Sequence, residues 1–351
     1  DASSVVGQTG LEQVYERQLA GTPGATITVV GANGKTTATL ATIAPKAGKA
    51  LETSIDPAFQ EEAEAVLDEE TKNAALVVVR ASTGQILASV SDPSADGFDQ
   101  ALDGAFPPGS TFKTITSTAL IEGGLSPASP ASCPTSITVG GEVFHNAEGD
   151  APVENLAQAF TESCNTAFIG LATSHLGMSS LPAAAALYNF GKEPAMGLAA
   201  FGGRVPPPTD AADLAATAIG QGQVLVSPLD MAMVAAAIDT GTVREPRLVV
   251  GAPDDHAPTQ TLSEALVIDL HEMMADVVAS GTAANEGLPF GTYAKTGTAE
   301  YGTGNPPPTD AWLIGFNGDI AFAVVVVDGG YGGPTDGPIV AKFLHALAPA
   351  K

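Results

Sequence analysis

The chain has 351 residues with 14 Lys+Arg against 39 Asp+Glu, and the resulting net charge of −25 argues against a nucleic-acid or phosphate-binding surface. A hydrophobic fraction of 44% is enough to bury a full core, which excludes intrinsic disorder, and this length holds one large or two medium domains. Charged residues are only 15%, so Ala, Gly, Thr, Ser and Pro must cover much of the surface, a style that suits a secreted protein.

Residues 1–48 are rich in Gly, Thr and Ala and carry two short apolar alternations, Ala25 to Val30 and Ala38 to Ile43, which read as a small β-rich piece. Between them Gly31-Ala32-Asn33-Gly34-Lys35-Thr36-Thr37 imitates a phosphate loop. Val29 stands where that loop needs its first glycine, and the β-branched alternation after Thr37 suits a strand, so an Asn-Gly hairpin turn explains the same letters. A helix then starts at Asp56, a good N-cap with Pro57 behind it, and Phe59, Ala63, Val66 and Leu67 share one face, leaving Glu61, Glu62 and Glu64 for solvent. Ala75 to Arg80 and Gln85 to Val90 read as a hairpin, and Ala311 to Phe316 with Ile320 to Val327 as another around Asn317-Gly318. The Ala-rich middle, for example Leu156 to Leu176 and Met231 to Ile238, has helical spacing. Strands at both ends with helices between predict an α+β domain whose sheet is assembled from the two ends of the chain. The repeated Pro-Pro-Pro-Thr-Asp-Ala, at 206–211 and 306–311, reads as shared loop chemistry rather than a structural repeat.

No apolar run reaches the ~18 residues of a membrane span, Ile320 to Val327 having strand length. The chain begins at Asp1 without a signal-peptide pattern, and the expectation is that a targeting segment has been removed. Cys133 and Cys164 form neither a disulfide framework nor a metal-spaced cluster, so no metal site and no cofactor are expected. The five histidines lack any catalytic or metal-binding context and read as structural.

The chemistry-bearing stretch is Pro107-Pro108-Gly109-Ser110-Thr111-Phe112-Lys113. After the Pro-Gly turn, Phe112, Ile115, Ala119 and Leu120 keep helical spacing until Gly123-Gly124, which puts Ser110 at a helix N-terminus. Backbone N–H groups and the positive dipole end then favour negative charge beside its oxygen, and Lys113 follows on the same face. A desolvated lysine beside another cation becomes a neutral amine that takes the serine proton, so the pair supplies a nucleophile and a base. Ser-x-x-Lys alone recurs by chance. Here it is followed in order by a single Ser-x-Asn, Ser163-Cys164-Asn165, and a single Lys-Thr-Gly, Lys295-Thr296-Gly297-Thr298.

This ordered trio is the known pattern of serine penicillin-recognising enzymes, and the chain resembles the class B penicillin-binding proteins in particular. Gly7 to Gly21 looks like the end of their non-catalytic pedestal, and Ser54-Ile55-Asp56 with Gln60 like the start of their transpeptidase domain. Ser163 to Phe168, Ile219-Gly220-Gln221-Gly222 and Ala311-Trp312-Leu313-Ile314-Gly315 also resemble that family. The resemblance implies a penicillin-binding/transpeptidase fold of class α+β: an antiparallel sheet of about five strands flanked by helices, plus an all-helical subdomain. It places a β-rich remnant of the pedestal, a dimerisation-type domain, in residues 1–48 and the transpeptidase domain in 49–351. Members usually carry a membrane anchor, so an extracytoplasmic portion of a longer protein at the bacterial membrane is expected.

By the same resemblance, Ser110 attacks the bond between the terminal D-alanines of a peptidoglycan stem peptide, with Lys113 as base. Ser163 relays a proton to the leaving amine, and Asn165 orients the lysine and binds the substrate backbone. Lys295 raises the positive potential, Thr296 and Thr298 bind the terminal carboxylate, and Gly297 lets the substrate lie close. The backbone N–H groups of Ser110 and Thr298 form the oxyanion hole, a kind of site worth roughly 3 kcal/mol per donor. An amine of a second stem then completes the cross-link, and β-lactams acylate the same serine. Expected partners are donor and acceptor stem peptides, β-lactam antibiotics and the cell-wall synthesis machinery, with no nucleic acid. Alternatives of the same fold are a D,D-carboxypeptidase, a β-lactamase, or a non-catalytic β-lactam sensor or scaffold. Cys164 reads as a free, mostly buried thiol, pairing with Cys133 being the alternative. Glu300 is either a cleft residue influencing substrate choice or an exposed strand-end carboxylate.

Overall fold

The computed structural model describes residues 6–92, 97–147, 149, 151–251, 259–304 and 306–347. These divide into two compact units, the described residues of Asp1–Thr53 with Val249–Ala252, and those of Ser54–Leu248 with Pro253–Lys351. Among the described residues no helix is long and apolar enough to cross a membrane.

The smaller unit holds two short helices, α1 (Gly10–Val14) and α2 (Glu16–Leu19), and an antiparallel hairpin of β1 (Ala25–Val30) and β2 (Thr36–Ile43). The phosphate-loop look-alike is the turn of that hairpin. Gly34 has φ +75°, Lys35 N–H donates to Asn33 Oδ1 (3.1 Å), and no helix follows the lysine.

In the larger unit, α3 (Pro57–Leu67) starts where the cap chemistry places it, with the Asp56 carboxylate accepting from Ala58 N–H. Next come β3 (Ala74–Arg80), β4 (Gln85–Ser91), α4 (Gln100–Asp103), a 3-10 turn Gly109–Phe112 and α5 (Lys113–Glu122). The middle contributes β5 (Ser136–Val139), β6 (Glu142–His145), α6 (Leu156–Thr161), α7 (Asn165–His175), α8 (Ser180–Leu187), α9 (Ala211–Ala218) and α10 (Pro228–Thr240). A minimal pair, β7 (Thr242–Val243) and β8 (Gln260–Thr261), precedes α11 (Glu264–Ala279), β9 (Thr292–Glu300), β10 (Thr309–Asn317), β11 (Ile320–Val326) and α12 (Gly332–Leu347).

One antiparallel sheet of five strands, in the order β4-β3-β11-β10-β9, joins the two chain ends through the β3–β11 pair and leaves β9 on an edge. One of its faces packs Leu76, Val78, Leu313, Phe322 and Val324 against Ala63, Val66, Val340 and Phe343 of α3 and α12. The other face meets α10 and α11. The two Pro-rich hexapeptides do diverge: Asp210 caps α9, whereas Thr309 and Asp310 open β10.

Two departures from the sequence expectations bear on the site. Helix α5 is buried over its whole circumference from Lys113 to Leu120, not on one face. Its threonines satisfy themselves: Thr114 and Thr118 donate to Thr111 O and Thr114 O, and Thr116 to Ala218 O. The helical stretch expected over 156–176 is broken between α6 and α7, where Ser163 has φ +57°, a left-handed conformation costly outside glycine.

Candidate functional site

Three chain segments converge beside the edge strand. The first is the turn ahead of α5. Gly109 has φ +51°, and a Cβ on it would lie 2.6 Å from Thr298 O, so only glycine lets this turn lie against β9. Gly220 seals the turn from the other side: Gly109 N–H donates to Gly220 O (3.0 Å), and a Cβ on Gly220 would sit 2.1 Å from Gly109 O. The buried indole of Trp312 donates to Pro107 O (3.0 Å), pinning the turn to the sheet. Ser110 is thereby held, almost fully buried, at the head of α5.

The second segment is the break between α6 and α7, which turns Ser163 and Asn165 toward Lys113. Here the expectation of a free Cys164 thiol is corrected, because Cys164 is disulfide-bonded to Cys133 (S–S 2.04 Å). Antiparallel pairing of Pro130 with Asn155 and the Ala131 N–H···Glu154 O bond bring the loop that carries Cys133 alongside the break, a proximity with no signal in sequence spacing. Asn146 reinforces the corner by accepting from Thr166 N–H (3.1 Å) and donating to Pro134 O (3.1 Å). The third segment is β9 itself.

Lys113 is fully buried, and its Nζ lies 2.9 Å from Ser110 Oγ, 2.5 Å from Ser163 O and 2.7 Å from Asn165 Oδ1. Asn165 Nδ2 in turn donates to His145 O (3.2 Å), which fixes the amide with its oxygen toward the lysine. Ser163 O and Asn165 Oδ1 only accept, so each takes an N–H from Lys113. The remaining direction on the nitrogen points at Ser110 Oγ: an ammonium donates there, whereas a neutral amine presents its lone pair to the serine O–H. Lys295, also fully buried, donates to Ser163 Oγ (3.0 Å) and Thr296 O (3.1 Å), while Lys113 Nζ lies 3.4 Å from that same hydroxyl. Ser163 Oγ therefore sits between two lysines. Phe168 and Phe160 supply ring faces 5.4 and 5.5 Å from Lys113 Nζ and Lys295 Nζ, which favour a cation.

Strand β9 distributes its residues differently from the expectation in two places. Thr296 is fully buried and its hydroxyl is hydrogen-bonded to Thr282 Oγ1. A Cβ on Gly297 would meet Thr111 Cγ2 at 2.8 Å and Pro108 O at 3.0 Å, so the missing side chain makes room for the nucleophile's own turn. Thr298 does line a cleft of about 280 Å³, together with Asn165, Gln221, Glu300 and His145. Glu300 is exposed at its end, and the Gln221 amide, in the orientation that satisfies both partners, donates to Glu300 O (2.9 Å) and accepts from Glu300 N–H (3.0 Å). Gln221 thus closes the free edge of β9 at that point. Thr282, Phe160 and Asn146 carried no motif, whereas Phe168 closed the Ser163 to Phe168 segment. Gln221 stood in the Ile-Gly-Gln-Gly segment, its one sequence signal.

Comparison with known proteins agrees with this geometry. Residues 74–345 match the profile of the penicillin binding protein transpeptidase domain, and residues 1–53 that of the penicillin-binding protein dimerisation domain. A peptidoglycan D,D-transpeptidase PbpA of Mycolicibacterium smegmatis is 34% identical over 307 residues, 73% of this chain and 62% of that protein. The ceftriaxone acyl-enzyme complex of penicillin-binding protein A from M. tuberculosis superposes with a TM-score of 0.76 at 28% identity, covering 86% of this chain and 81% of that one. A chain from a peptidoglycan synthase complex that coordinates polymerization and crosslinking gives 0.84 at 27% identity, covering 99% and 71%. The chain spans about 62% of the length of the curated PbpA relatives it matches. With the transpeptidase profile covering most of the sequence and the trio assembled on the fold of those structures, the chain belongs to the penicillin-binding protein transpeptidase family.

Proposed function

We propose that the chain is the catalytic portion of a peptidoglycan D,D-transpeptidase that works through a Ser110 acyl-enzyme and is inhibited by β-lactams, at the extracytoplasmic face of the bacterial membrane. The observation that carries this reading is Lys113 Nζ, held between Ser110 Oγ and two obligate acceptors, Ser163 O and Asn165 Oδ1. Two buried lysines sharing one hydroxyl repel, so the neutral form of one is favoured, and in Lys113 that form accepts the serine proton as Oγ attacks the stem-peptide carbonyl. The backbone N–H groups of Ser110 and Thr298 then stabilise the oxyanion. Ser163 passes the proton on to the departing D-Ala amine, with Lys295 fixing its hydroxyl. Thr298 binds the terminal carboxylate from the cleft, and Asn165 the substrate's amide backbone. Thr296 and Gly297 serve this site from beneath, by packing. Attack of an acceptor amine on the acyl-enzyme restores Ser110 and forms the cross-link.

The smaller unit is read as the end of a dimerisation-type pedestal and the larger as the transpeptidase domain. Likeness to a chain of a peptidoglycan synthase complex supports the cell-wall synthesis machinery as a partner. Incubation with a pentapeptide stem donor and an amine acceptor tests the reading by mass spectrometry of the products. A tetrapeptide joined to the acceptor by a new amide bond, with release of D-Ala, is expected. Release of D-Ala with water as the sole acceptor would make the protein a carboxypeptidase instead.

A further inference from the structure

Besides the cleft that holds Thr298, a larger cavity of about 470 Å³ opens beside the site, lined by Glu162, Thr282, Tyr331, Gly333 and Pro334 among others. Among the described lining residues Glu162 is the charged one. Its chain neighbour is Ser163, the relay hydroxyl. Thr282 on the same wall is hydrogen-bonded to Thr296, the neighbour of Lys295, which itself donates to Ser163 Oγ. The cavity therefore reaches to one residue along the chain from Ser163, while the Thr298 cleft reaches the site through Asn165.

Resting on the transpeptidase reading, we infer that this cavity receives the acceptor amine and that the Glu162 carboxylate holds it in its ammonium form. The departing amine and the arriving amine pass through the same tetrahedral centre, so the acceptor enters from the side where Ser163 hands over the proton. A primary amine in water near pH 7 arrives as an ammonium. The Glu162 carboxylate, the charge among the described lining residues, is of the sign that attracts it. The ammonium first gives one proton to solvent. The neutral nitrogen then forms the N–C bond to the acyl carbon, the bond from that carbon to Ser110 Oγ breaks, and the second amine proton passes through Ser163 and Lys113 to Ser110 Oγ.

The test compares acceptors on one acyl-enzyme, formed from an N-acyl-D-alanyl thioester donor. D-alaninamide, whose only charge is its ammonium, competes with methanol, which carries none, and the amide-to-methyl-ester ratio is measured for the wild type and Glu162→Gln. The ratio is expected to fall about tenfold in Glu162→Gln, through a higher KM for D-alaninamide, and 0.5 M salt should lower it about severalfold in the wild type alone. An unchanged ratio in a variant that still forms the acyl-enzyme overturns the inference and leaves the transpeptidase reading standing. A wild-type acyl-enzyme that forms ester but never amide overturns both.

Discussion

At the scale of single residues the site divides into groups that react and groups that give them room. Ser110→Ala removes the nucleophile and abolishes any β-lactam adduct, whereas Lys113→Met leaves the serine without its base and should slow acylation by about 10²–10⁴-fold, read from adduct formation against time. The two threonines of β9 are expected to differ. Thr298→Val removes a hydroxyl lining the cleft and should slow acylation about tenfold or more, while Thr296→Val costs mainly a buried hydrogen bond to Thr282 and should appear as a loss of stability of about 1–2 kcal/mol. Equal acylation defects in the two variants would contradict this assignment. Gly220→Ala combines a positive φ (+71°) with a Cβ 2.1 Å from Gly109 O, so it should displace the Ser110 turn and cost both stability and acylation.

At the scale of elements, the break between α6 and α7 is what turns a Ser-x-Asn string into a site. Without it, Ser163 and Asn165 would lie on a continuous helix, two residues apart and so on different faces. The Cys133–Cys164 disulfide ties that break to the loop beside it across a sequence separation of 31. Cys133→Ser with Cys164→Ser should lower unfolding free energy by roughly 2–5 kcal/mol, measured by denaturant titration, and slow acylation because Cys164 adjoins Ser163. Wild-type acylation rates in the double variant would show that the backbone holds the bend unaided. The motifs, the α3 cap and both sheet hairpins were legible in the sequence, because each rests on local chemistry, an N-cap, turn residues or β-branched runs, and the meeting of the two chain ends followed from the order of strands and helices along the chain. The helix break was not. Ser163 adopts a left-handed backbone that local preference opposes, and the tertiary contacts around it, the neighbouring disulfide and the Lys113 bond among them, accompany that geometry. The disulfide and the Thr282–Thr296 bond were hidden for the same reason, since they join residues that are distant in sequence.

At the scale of the molecule, acidity should couple to stability. Burial pushes the carboxyl of Asp230 up to about 7 and those of Asp239 and Asp310 up to about 6, from a usual value of 3.8. A raised value in the fold means that the native state holds these protons more tightly than the unfolded chain. Their contribution is therefore most favourable below about pH 4 and is lost as pH rises through 6 to 7. Tm should be higher at pH 5.5 than at pH 7.5, a trend that the net charge of −25 reinforces through self-repulsion. Salt screens the second effect and not the first, so the slope should persist at high salt and flatten in Asp230→Asn, whose amide oxygen can still accept from Ser227. A slope abolished by salt alone would assign it to surface charge.

The account stands most directly on the claim that Ser110 is the nucleophile of acyl transfer and forms a long-lived acyl-enzyme. Intact mass after incubation with benzylpenicillin, followed over hours for the wild type and for Ser110→Ala, tests it in one measurement. A single stable adduct on the wild type, absent from the variant, is the predicted result. An adduct that forms and is lost rapidly, with accumulation of hydrolysed drug, would contradict the transpeptidase reading in favour of a β-lactamase. No adduct on the wild type would contradict an active Ser110.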